Sequence, residues 1–228
     1  MKTLITIIAA FISLTSNAQC SDSFFPFEKD KTLEYTEFNQ AKESQGTISH
    51  QVTSSSESLA MVKTTAFSKS GKELEKDTYA ISCDKGDIQI DVNQYIPSRI
   101  WKKFKEKKKE IEGNFIVIPK ILEVNQKLPE GNVTMTMEGR PRIEWKVKVY
   151  IKDRQVKGKE ELTTPAGTFE TFVIEESIDI GIDLSSLKEY SSFYQITWYS
   201  KNNGIIKKER YGRKEGPLLG YSLLTKSE

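Results

Sequence analysis

Alternation with a period of two residues constrains this chain more than any other feature. In the run Ile143-Glu144-Trp145-Lys146-Val147-Lys148-Val149-Tyr150-Ile151 every odd position is apolar and the even positions are mostly charged. Successive side chains of a strand point to opposite faces, so this run reads as a strand with one buried and one wet face. The same pattern recurs at Ile88, Ile90 and Val92, at Val133, Met135 and Met137, and at Ile178, Ile180 and Ile182. Alternation of this kind favours antiparallel sheet, because parallel strands covered by helices read as unbroken apolar runs.

The punctuation between the runs fits hairpins. Ser70-Gly71 separates Leu59–Ser68 from Glu73–Ser82, and Asn202-Asn203-Gly204 separates Ser192–Tyr199 from Ile205–Tyr211. Asn and Gly tolerate the positive φ that tight hairpins demand. Thr164-Pro165-Ala166-Gly167 makes a third turn, with Pro165 presetting φ. The Ser-rich stretch Thr53–Ser58 is short enough to be a hairpin loop. Each turn joins neighbours in sequence, so the economical topology is a meander.

One segment departs from the β pattern, Pro97 to Lys108. Pro97 suits a first helical turn, and Ile100, Trp101 and Phe104 then share one face while lysines fill the rest. The reading is therefore mainly β: a single curved antiparallel sheet or half-barrel meander packing around one amphipathic α-helix. Between residues 99 and 109, Arg99, Lys102, Lys103, Lys105, Lys107, Lys108 and Lys109 stand against Glu106 alone. Such a face is either plain solvated surface or, through Lys102, Lys103, Lys105 and Lys107, a dock for an anionic surface or an envelope protein partner.

The chain opens with Lys2, an uncharged run from Leu4 to Thr15, and the small residues Ser16-Asn17-Ala18. This is the pattern of a cleaved secretory signal peptide over residues 1–18. The run is shorter than the roughly 20 apolar residues that span a bilayer, and nothing later is long enough, so no transmembrane segment is expected in the mature chain. Residues 19–228 are then one β domain, soluble and periplasmic or extracellular. Gln19 before Cys20 argues against a lipid-modified cysteine, which needs small residues ahead of it. Cys20 and Cys83 are the two cysteines. In an oxidising compartment such a pair is most simply a disulfide, and two distant cysteines with one histidine supply too few ligands for a metal.

Catalytic signals are sparse. His50 is the single histidine, lies in a polar stretch, and has no nucleophile motif around it, so it reads as a surface residue. Glu160, Glu161, Glu175, Glu176 and Asp179 sit in alternating strands, where outward charge is the default. No phosphate-cradling glycine loop is present. With 34 Lys and Arg against 32 Asp and Glu, no global field draws the chain to nucleic acid. No cofactor is expected, and the protein reads as non-enzymatic. Methionines and aromatics fill a core or line an apolar pocket in a curved sheet. The residues singled out for a lipid or other hydrophobic ligand are Ile100, Trp101, Phe104, Met135, Met137, Trp145 and Trp198, with Phe172, Tyr194 and Tyr221 as further aromatics of this kind.

Several stretches carry a family resemblance: Cys20-Ser21-Asp22 through Phe24-Phe25-Pro26, Thr78 to Cys83, Leu128-Pro129-Glu130-Gly131, Thr163 to Phe169, and Trp198-Tyr199 through Gly204 to Lys207. Together they resemble the TapB-like family of secreted envelope proteins, over nearly the whole mature chain and in the same order. The resemblance implies a half-barrel enclosing a helix, akin to lipoprotein-carrier folds, with no known activity and no catalytic residue to carry over. The chain departs from the family in its more polar Asn202-Asn203-Gly204 turn and its lysine-rich helix. The function expected is a non-enzymatic envelope protein that binds a lipid or other hydrophobic ligand; the alternative is an interaction component of an envelope or secretion assembly.

Overall fold

In the computed structural model, which describes residues 20, 22–90, 109–138, 144–184 and 188–228, the alternation becomes thirteen strands. They are β1 (Thr32–Asn39), β2 (Ser44–Ser55), β3 (Leu59–Ser68), β4 (Glu73–Asp84), β5 (Asp87–Ile90), β6 (Lys109–Gly113) and β7 (Ile116–Ile118), followed by β8 (Gly131–Glu138), β9 (Glu144–Thr164), β10 (Gly167–Asp183), β11 (Lys188–Ser200), β12 (Gly204–Tyr211) and β13 (Leu218–Ser227). All join one antiparallel sheet in the order β6-β8-β9-β10-β11-β12-β13-β1-β2-β3-β4-β5-β7. The three expected turns fall between β3 and β4, β9 and β10, and β11 and β12. The Ser-rich stretch is shorter as a loop than its composition suggests, since β2 runs on to Ser55.

The meander is corrected in three places. The first strand pairs with the last, Tyr35 opposite Leu224. At the edges, β6 pairs with β8 and β7 with β5. Local turn chemistry specifies which neighbours fold back on each other; it carries nothing about pairings made over the length of the chain.

These pairings fix the curvature. The two edge strands β6 and β7 are separated by only Asn114 and Phe115. Arg154 on β9 donates to Val117 O on β7 at 3.0 Å, although ten strand-to-strand steps separate β9 from β7 in the ladder. Laid flat, those steps would span about 48 Å at roughly 4.8 Å each. The sheet therefore curls until its edges meet, at a seam crossed by side chains and not by a backbone ladder. Gly113 stands at this seam with φ +144°, where a Cβ would lie 2.2 Å from Asn132 O, so the close approach requires glycine.

The inward phase of the strands forms the main core. Val147, Val149, Ile151, Met135, Ile174 and Ile178 are all 0% exposed, and each such side chain contributes about 1.5–3 kcal/mol by leaving water. Phe24 and Phe25 from the N-terminal segment join the same cluster. The Cys20–Cys83 disulfide is formed, tying that segment to β4.

The helix expected over 97–108, with Ile100, Trp101, Phe104, Lys102, Lys103, Lys105 and Lys107, lies outside the described residues, as do the signal peptide and Gln19. Among the described residues every regular element is a strand, so the described core packs around side chains of the sheet itself and not around a described helix. Lys109, counted with the basic helical face, instead opens β6 opposite Met137. Pairing with β8 there overrides the helix propensity of Lys and Glu.

Candidate functional site

The inward phase is not apolar throughout. Within β10 the sequence Ile174, Glu176, Ile178, Ile180, Ile182 keeps one face, which places Glu176 inside, 2% exposed. Opposite it, β9 carries a bulge at Asp153, whose φ of 55° is in the left-handed region. A bulge re-aims the residue beside it, here Arg154, which turns inward and is 2% exposed. Its Nε donates to Glu176 Oε2 at 3.1 Å, and its Nη1 donates to Val117 O and to Pro129 O at 2.6 Å. Gln195 of β11 donates to the other carboxylate oxygen at 2.8 Å and to Thr197 Oγ1 at 3.3 Å. Both oxygens of Glu176 are thus occupied, while Arg154 Nη2 is buried without a hydrogen-bond partner among the described residues.

The polar row continues across the same face. Thr197 lies opposite Lys208, Lys208 opposite Ser222, and Ser222 opposite Glu37. Directly paired residues share a face, so Lys208 looks into the curl of the sheet, where it is half-buried. No hydrogen bond or ion pair reaches its Nζ among the described residues, and burial pulls its pKa below the usual lysine value, with Glu37 and Glu176 acting against that shift. One turn of the row further, His50 Nδ1 lies 2.9 Å from the Tyr79 hydroxyl, and the His50 ring stands edge-on to Tyr35 at 5.3 Å. Burial raises the pKa of Tyr79 and of Tyr35, so both phenols stay neutral. Burial likewise raises the pKa of Tyr199, and the charge of Glu176 adds to that shift.

His50 is accordingly a half-buried, partnered residue and not the surface histidine its polar neighbours suggest. Burial, reinforced by the charge of Lys208, lowers its pKa to about 4. The unfolded chain takes up this proton near pH 6.5, whereas the folded protein resists it until about pH 4. His50 therefore contributes stability that is complete above pH 6.5 and is lost as pH falls towards 4, by roughly 3 kcal/mol in all. Urea denaturation from pH 7 to 4 should show this decline, and His50→Gln should flatten it; parallel pH profiles for the two proteins would overturn the assignment.

The residues singled out from sequence divide between faces. Met135 and Met137 are 0% and 1% exposed within the apolar wall, with Trp145 packed against it. They line neither of the two described clefts. Trp198 pairs with Val173 and Lys207, so it takes the phase of β11 opposite to Thr197 and Tyr199. It is 8% exposed and belongs to a second core cluster with Leu33, Tyr35, Ile206 and Leu224, against which Leu162, Ala166 and Phe169 pack; it donates from Nε1 to Glu160 at 2.5 Å and has Lys207 Nζ 4.7 Å from its ring.

Glu176 is corrected from outward to inward, whereas Asp179 keeps the outward phase but is buried there, 6% exposed. Burial works against the Asp179 carboxylate, yet hydrogen bonds from Lys152, Ser192 and Tyr190 hold its pKa below the usual value. The clefts, of about 340 and about 210 Å³, are lined mainly by outward residues, Lys207, Glu209, Tyr221 and Leu223 in one and Asn132, Tyr150, Lys152 and Asp179 in the other.

The inner row can hold a polar group by hydrogen bonds from unpaired donors. Among the described residues His50 bonds to Tyr79 and to no serine, threonine or cysteine. No group of three His, Cys, Asp or Glu there could hold a metal ion.

Comparison with known proteins agrees with the fold. A family model described as DUF3108-like matches residues 28–224. A protein from Bacteroides fragilis, assigned as exported and with a YmcC-like fold, superposes with a TM-score of 0.68 at 17% identity, over 90% of this chain and 99% of that one. A protein from Parabacteroides distasonis, assigned as a lipoprotein, superposes with a TM-score of 0.70 at 24% identity, over 92% and 99%. No curated protein matches the chain. The TapB-like name rests on the residue resemblance alone.

Proposed function

The chain belongs to the DUF3108-like family, and from that premise we propose that it is a non-enzymatic protein acting outside the cytoplasm that binds an amphipathic, lipid-like molecule on the concave face of its sheet. The observation that carries this reading is two inward donors without a hydrogen-bond partner among the described residues, the buried Arg154 Nη2 and the half-buried Lys208 Nζ, on a face otherwise built as core. A buried donor left without a partner costs about 1–3 kcal/mol, and folded proteins keep few of them. Donors facing inward beside aromatic and apolar side chains fit a binding face, where a ligand's polar end completes the hydrogen bonding. The apolar wall at Met135 and Met137 is already packed. The ligand's seat therefore moves from those residues to the half-buried row of His50, Tyr79 and Lys208, beside the buried Tyr35.

Placement outside the cytoplasm is supported by the disulfide and by the exported and lipoprotein assignments of the two similar structures. No described helix is long and apolar enough to cross a membrane.

A second reading, a component of an envelope assembly, is favoured by the seam. Ile111, Phe115, Ile121 and Val124 are between 46% and 69% exposed there, beside the unpaired outer edges of β6 and β7. Exposed apolar residues at open sheet edges are where partners add. Native mass spectrometry of gently purified protein, paired with cross-linking in the native envelope, separates the two. A co-purified amphiphile mass is expected; its absence together with protein cross-links from residues 111–124 would reject the ligand reading in favour of the partner.

A further inference from the structure

We propose, on the ligand reading above, that the concave row selects an acidic head group, a carboxylate or phosphate-like monoanion seated at Lys208. The residues directly across from Lys208 are Thr197 and Ser222, which are neutral. Its neighbour Lys207, on the opposite face, is ion-paired with Glu209 at 2.6 Å, and Lys152 and Lys201 are paired with Asp179 and Asp22 at 2.6 and 2.7 Å. Lys208 alone among these four has its charge turned inward with no anion in contact.

Among the described residues no carboxylate makes an ion pair with Lys208. Glu176 has both oxygens engaged by Arg154 and Gln195, and Glu37 stands one residue further along the row, beyond Ser222. His50 stays neutral at physiological pH and leaves the electrostatic choice to Lys208. Arg154 Nη2, fully buried on the same face, is a further donor without a partner among the described residues. An anion in this setting gains a charge-assisted hydrogen bond in a region of reduced dielectric. A neutral head group meets the same apolar and aromatic surroundings without that bond. Charge, not shape, is what this row discriminates.

The test is calorimetric titration of the mature protein with octanoate, 1-octanol and acetate, which separate an anionic amphiphile from a neutral one and from an anion without a chain. Octanoate should bind at least tenfold more tightly than octanol. Lys208→Gln should erase that preference by weakening octanoate, and Lys208→Arg, which keeps the charge, should retain it. Equal binding of octanoate and octanol by the wild type would overturn the acidic selection while leaving the amphipathic reading standing. Binding of neither would overturn both, and acetate binding as tightly as octanoate would assign the row to a small free anion and overturn the amphipathic reading. If Lys208→Gln does not fold, the wild-type comparison and Lys208→Arg still decide the outcome.

Discussion

Arg154→Met should lower folding stability by about 3–5 kcal/mol, a large share of the 5–15 kcal/mol typical of a domain. The guanidinium answers Glu176 on one side and the carbonyls of Val117 and Pro129 on the other. Methionine matches its length but leaves a carboxylate 2% exposed with Gln195 as its one remaining hydrogen-bond donor. Breaking one half of a buried pair is costly because the other half stays charged in a poor solvent. The double variant Arg154→Met with Glu176→Met removes both charges and should recover part of the loss. Recovery should stop short of the wild type, since the two seam carbonyls remain without their donor, at about 1 kcal/mol each or more. Hydrogen exchange at Ile116–Ile118 gives the local readout: β7 should exchange faster in both variants, because Arg154 stands where a fourteenth strand would otherwise protect that edge. A single variant as stable as the wild type, with β7 exchange unchanged, would show that the seam is held by something else.

The strands and turns were legible because period two and the turn residues are local signals. Ile48, His50 and Val52, Ile206 and Lys208, and Ile174, Glu176 and Ile178 all keep phase, so the inward placement of His50, Lys208 and Glu176 was written in the alternation. It was obscured by the general rule that charged residues point outward, which fails where a sheet curls enough to enclose a polar row. Arg154 is different. Continuing the phase of Val147, Val149 and Ile151 would turn Asp153 inward, and only the bulge at that residue, marked by its positive φ, transfers the inward position to Arg154. No composition or spacing announces a bulge at an Asp. Trp198 is core, as a large aromatic suggests, but of a second cluster that its alternation alone does not separate from the first. The seam was illegible altogether, because it depends on β13 finding β1 and on two edges meeting around the whole sheet.

Removing the disulfide with Cys20→Ser and Cys83→Ser should lower stability by about 4 kcal/mol on the chain-entropy estimate for a loop of this length. The consequence is concentrated at one end of the curl. The segment from Cys20 to Phe25 runs from β4 to the turn between β11 and β12, where Asn202 N donates to Ser23 O at 2.7 Å and Lys201 pairs with Asp22. That surface ion pair contributes little by itself. What holds the segment besides the disulfide is Phe24, 2% exposed and edge-on to Phe172 at 5.7 Å. Once the covalent tie is gone, Phe24 must keep its place by burial alone, about 2–3 kcal/mol against the entropy of ordering several residues. The segment should therefore fray before the sheet unfolds. Urea denaturation of the double variant should show the lower midpoint, and limited proteolysis should cleave near residues 20–27 before any strand. An unchanged midpoint after loss of the bond would mean that Phe24 suffices. If both effects appear, the fold reaches full stability only where its thiols oxidise, and the covalent tie that closes this end of the sheet also restricts where the protein can work.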